Sequence, residues 1–121
     1  MFRKKQTVNL LDLVPQRVAD SVQDEEGIVS LRIPRFKNER LRTILTPSKR
    51  KPFVHLKLDR FGTHVWNAID GRRDVAALAE SLLEAFGEEV QPVHERVGGF
   101  IRELERNGFI RLLGADGAPF R

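Results

Sequence analysis

The chain has 121 residues, with 21 Lys or Arg against 17 Asp or Glu and a net charge of +4. That is the length of one domain, enough to bury roughly two-thirds of the unfolded surface without covalent staples. Cysteine is absent, which excludes disulfides, thiolate zinc sites, iron–sulfur ligation and cysteine nucleophiles.

Taken in order, Met1 to Val14 reads as an N-terminal arm in which Leu10, Leu11, Leu13 and Val14 can dock as one short amphipathic turn before Pro15. The apolar run from Val8 is short and broken by Asn9 and Asp12, so neither a signal peptide nor a membrane span is expected and a cytoplasmic location is the default. Arg17 to Val22 and Ile28 to Ile33 are β-like runs joined by a polar, glycine-containing loop of hairpin length. Pro34 to Pro52 reads as an insertion, with a small helix around Phe36, Leu41, Ile44 and Leu45 and then a basic loop. The charge is concentrated here: Arg32 to Lys57 holds nine Lys or Arg and one Glu, a local +8 that leaves −4 for the rest. Lys49, Arg50 and Lys51 are either a solvated tether or a surface that steers an acidic partner. Phe53 to Leu58 is a third strand, with Val54, Leu56 and Leu58 inward and Phe53, His55 and Lys57 outward.

Three helices follow. Asp59 can cap the first, whose stripe is Phe61, Val65, Ala68 and Ile69 and which stops before Gly71. Asp74 can cap the second, with Val75, Leu78, Ala79, Leu82 and Phe86 buried and Gly87 as the stop. Pro92 suits the first turn of the third, in which Val93, Val97, Phe100, Ile101 and Leu104 face the core until Gly108. Trp66 lies beside the first stripe, at the edge of a core. Phe109 to Leu113 returns as a closing strand, and residues 114–121 form a flexible tail. The expected class is α+β, a winged-helix-like domain over residues 15–113 with a small three-stranded antiparallel sheet plus a three-helix unit.

Leu58 and Asp59, the run Ile69, Asp70, Gly71 and Arg72, the apolar Val75, Leu78 and Leu82, then Val97, Phe100, Ile101 and Leu104, and the ending Gly108, Phe109, Ile110 form an ordered set. In this set the chain resembles coenzyme PQQ synthesis protein D (PqqD) and the related peptide-recognition elements of pathways that modify ribosomally made peptides. The resemblance implies a module without catalysis of its own. The leader of a precursor peptide would add as an antiparallel strand to the third strand, beside the third helix, and be presented to a modifying enzyme, a radical SAM enzyme in PQQ-like pathways. The candidate peptide site is then Phe53, Val54, His55, Leu56 and Lys57 with His94, Gly98 and Arg102. Gly98 and Gly99 thin both flanks of the third helix, either for close packing against a neighbour such as the N-terminal arm or to floor a peptide groove.

The residues themselves point to binding rather than chemistry. His55, His64 and His94 have no metal-ligand spacing, no Ser sits in a nucleophile elbow, and no glycine-rich loop is placed to cradle phosphate, so no catalytic residue, metal or cofactor is expected. Two other binding readings stay open. A winged helix can bind nucleic acid, but Asp59 to Phe109 carries six Arg against ten acids, too acidic for a duplex-binding face, and only the Arg32–Lys57 region favours it. A general protein-interaction module is the other. Monomer and dimer are equally compatible with the sequence.

Overall fold

The computed structural model describes residues 9–34, 53–114 and 116–119. A 3-10 turn, Leu10–Asp12, leads into β1 (Val14–Arg17), β2 (Asp20–Gln23) and β3 (Val29–Pro34); β4 (Phe53–Lys57) precedes three helices, α1 (Arg60–Ala68), α2 (Val75–Phe86) and α3 (Val93–Arg106), and β5 (Ile110–Leu113) follows them. The class is α+β, with all strand pairs antiparallel. The small helix expected within the 34–52 insertion, and the basic loop after it, lie outside the described residues.

Local chemistry sets the helix ends. The Asp59 carboxylate accepts from the Gly62 N–H at 2.7 Å and Asp74 from the Ala77 N–H at 2.9 Å, each satisfying a donor that the first turn leaves without a partner. α2 stops at Gly87, whose φ of 66° is a conformation that side chains with a Cβ resist. Pro92 stands one residue outside α3 rather than in its first turn, and the Gln91 side chain accepts from the Val93 N–H at 3.0 Å.

The expected strand Arg17 to Val22 is two strands in two sheets. The N–H groups of Val18 and Ala19 both donate to the Phe109 carbonyl, at 2.9 and 3.1 Å, and this shared acceptor breaks the run. On one side of the break β1 pairs with β5, Val14 opposite Leu113 and Arg17 opposite Ile110. On the other, β2 begins a three-stranded sheet in the order β2-β3-β4. Beyond β5 the chain turns back, with Gly114 N–H donating to Ala118 C=O at 2.8 Å and Pro119 bridging to Leu113.

The core lies where the three helices meet the inner faces of both sheets. Leu31 and Val29 from β3 meet Val65 and Trp66 of α1, Leu78 of α2 and Val97, Ile101 and Leu104 of α3, all nearly or fully removed from solvent. Trp66 is at the centre, not the edge, with 0% exposure; its carbonyl accepts from the Arg17 guanidinium at 2.8 Å, and the guanidinium lies 5.1 Å from the indole ring. Each large apolar side chain buried this fully contributes about 1.5–3 kcal/mol relative to exposure. Thr63 Oγ1 accepts from the Val29 N–H at 3.0 Å and so fixes α1 against β3.

Candidate functional site

β4 is an outer strand of its sheet, and its register decides which peptide groups are free to bind something else. The Leu58 N–H donates to Val29 C=O at 2.9 Å, and Leu56 lies opposite Leu31. In an antiparallel ladder the bonded pairs alternate, so Leu56 and Val54 turn their peptide groups toward β3 while Lys57 and His55 turn theirs away from it. Among the described residues nothing pairs with that outer side of β4.

The side chains alternate as well. Leu31 and Leu56 are directly opposite and share the inner face, yet Leu31 is 0% exposed and Leu56 43% exposed. The difference comes from position, since β3 is flanked by two strands and β4 by one. Beside Leu56 runs an open groove whose floor is Leu58, Leu104 and Phe109 and whose far wall is the α3 flank carrying Phe100, Glu103 and Asn107. Lys57 and Asp59 stand at its rim. A neighbouring strand could therefore bond to the β4 backbone and place alternate side chains on an apolar floor.

The predicted site residues divide into two groups. Leu56 and Lys57 line the groove, and His55 is exposed on the opposite face of β4 while presenting its peptide group to the edge. Phe53 and Val54 extend the same edge, opposite Pro34 and Ile33. His94, Gly98 and Arg102 are elsewhere: they lie along the other flank of α3 in a crevice with Asn9, Leu10 and Leu11. A Cβ placed on Gly98 would stand 3.4 Å from Leu10 Cδ2, so this glycine faces the N-terminal turn and not the groove. Lys49, Arg50 and Lys51 lie outside the described residues. Phe100, Glu103 and Asn107 were not among the predicted site residues. A 100° helical step does group them on one flank, but which flank meets β4 depends on how the sheet is placed.

The acids of the groove have partners. Glu103 pairs with Arg106 at 2.7 Å and accepts from the Asn107 side chain, and Asp59 caps α1. His64 Nε2 is 2.9 Å from Ser81 Oγ, away from the groove. Among the described residues no three His, Asp or Glu are placed to hold a metal ion, and no helix is long and apolar enough to cross a membrane.

Residues 53–110 match the family model described as coenzyme PQQ synthesis protein D (PqqD). Over this stretch, just under half of the chain, the sequence is similar to the PqqD family. It opens with β4 and contains all of α3, so both walls of the groove fall inside the PqqD segment, whereas β1, β2 and β3 precede it. No curated protein and no solved structure matches the chain, and the winged-helix likeness therefore rests on element order alone.

Proposed function

We propose that this chain, with its PqqD-like segment, is a peptide-binding module: it takes the leader of a ribosomally made precursor as an added strand along β4, in the groove against α3, and presents it to a modifying enzyme of the radical SAM type. The outer edge of β4, unpaired among the described residues, beside a half-exposed, inward-facing Leu56 carries the reading. Main-chain pairing supplies affinity there, and the apolar floor supplies choice. The charges of α3 favour a peptide over a nucleic-acid duplex. Arg96, Arg102 and Arg106 are matched by Glu95, Glu103 and Glu105 on the same exposed helix surface, which leaves no net positive face for phosphates. The chemistry in this reading belongs to the partner enzyme, with the chain holding and orienting its substrate.

The decisive variant is His55→Pro. It deletes an outward N–H and leaves the bonded rungs at Leu56 and Leu58 intact. Titration of the labelled chain with synthetic leader segments should shift amide signals along β4 and the Phe100–Asn107 flank of α3. His55→Pro should weaken that binding about tenfold while the melting curve stays close to wild type, the loss of one strand hydrogen bond being about 0.5–1.5 kcal/mol. Unchanged affinity in a folded His55→Pro variant would sink the edge model.

A further inference from the structure

Behind Phe100, on the side away from Leu56, a second cavity of about 230 Å³ opens between α1, α2 and α3. Its walls are Phe61, Val65, Leu82, Val90 and Val97, and Asp59 and Phe100 line both it and the β4 groove. We propose that this cavity is an anchor pocket for one bulky apolar side chain of the peptide bound along β4, and that Arg96 at its mouth selects a carboxylate close to that side chain. The inference rests on the strand-addition reading and adds to it the class of sequence that the site prefers.

Three observations support it. The first is size and polarity: an apolar void of about 150 Å³ accepts a benzene ring, so this pocket can hold a phenyl or leucyl group. Val90 and Val97, 0% and 1% exposed, lie beneath the pocket, and the half-buried Phe61 and Phe100 present its accessible apolar surface. The second is the passage. Gly62 lies where a Cβ would come within 3.2 Å of Asp59 Oδ1 and 3.3 Å of the Phe100 ring tip, so a larger residue on α1 would crowd the point where groove and pocket join. The third is charge. Asp59 is engaged with the Gly62 N–H and Glu103 with Arg106, while among the described residues the Arg96 guanidinium has neither ion pair nor hydrogen bond. The uncommitted charge at the mouth is thus positive. An apolar anchor seated in a desolvated pocket carries most of the energy of such an interface, and a rim charge beside it adds selectivity and salt dependence.

The test uses the full chain and a phage-displayed library of random dodecamer peptides, selected on wild type and counter-selected on His55→Pro so that only edge-dependent binders are kept. The expected binders carry Leu, Ile or Phe with Asp or Glu one or two positions away. In a synthetic copy of such a binder, Ala in place of the apolar residue should weaken affinity tenfold or more. Arg96→Gln, a change at an exposed position, should lower affinity several-fold only for peptides that retain the acid, and less so at high salt. Leu82→Phe, which fills the cavity, should shift selection toward smaller apolar residues; if it does not fold, the Arg96→Gln and peptide-alanine measurements decide the matter. Edge-dependent binders without the apolar–acidic pair overturn the anchor pocket and leave strand addition standing. A library that yields no edge-dependent binder overturns both.

Discussion

Adjacent glycines in α3 meet different surroundings. Gly98 is buried, and a Cβ added to it would stand 3.4 Å from Leu10 Cδ2, whereas Gly99 is exposed and a Cβ there would meet nothing within 4 Å. Glycine inside a helix costs about 0.5–1 kcal/mol relative to alanine. At Gly99 an added methyl gains that propensity without a clash, and at Gly98 it reaches ordinary contact distance with the flexible end of a leucine. Gly98→Ala and Gly99→Ala should each raise stability by about 0.5–1 kcal/mol in urea denaturation, and neither should change the affinity of a peptide at the β4 edge. A destabilised Gly98→Ala would show that Leu10 cannot yield. The helical wheel was enough to put these glycines on opposite flanks. It could not choose between the N-terminal arm and a peptide groove as what faced them, because Leu10 is distant in sequence and a helical period carries no information about neighbours.

At the scale of elements, the helices were legible because their boundaries are made by short-range chemistry. Asp59 and Asp74 bond three residues ahead, and Gly87 needs only its own φ. The turn between α1 and α2 follows the same rule: the Asp70 carboxylate accepts from the N–H groups of Arg73 and Arg72, both at 2.9 Å. The Arg73 N–H foremost, then that of Arg72, hold this carboxyl below its ordinary value of 3.8. A depressed folded value means that the turn's contribution is complete above the unfolded value and is lost as pH falls through the folded one. Asp70→Asn should therefore be less stable than wild type at pH 7, and the gap should close as denaturation curves are taken down through pH 4 toward pH 2. A gap that is constant with pH would mean that the carboxylate charge contributes nothing. The division of Arg17 to Val22 into two strands had no such local signal. It depends on the Phe109 carbonyl, which only the folded chain brings to Val18 and Ala19.

For the whole molecule, the stretch that carries the family likeness does not hold the whole core. Residues 53–110 contain the three helices but omit Leu13, Val29, Leu31 and Leu112, all buried against them. Removing several large side chains from one core costs about 2–5 kcal/mol for each, against a typical total stability of about 5–15 kcal/mol. The isolated 53–110 segment should accordingly show poorly dispersed amide signals and no cooperative melting transition, while residues 9–119 should show both; a sharp melt in the short segment would place the stabilising core within the helices alone. The closing contact, β1 on β5, was the part of the architecture least visible in the sequence, since neither strand's pattern names its partner. That contact also sets how the molecule responds to being pulled. Val14 and Leu113 occupy the same end of the β1–β5 ribbon, so tension applied through the two chain ends loads the rungs one after another, like a zipper, instead of shearing all of them together. Leu13, whose carbonyl accepts from the Val75 N–H at the start of α2, stands just ahead of this ribbon in the chain and is loaded with it. Pulling on the two ends would thus free Leu13 and the β1–β5 ribbon before β4 lost its place beside α3.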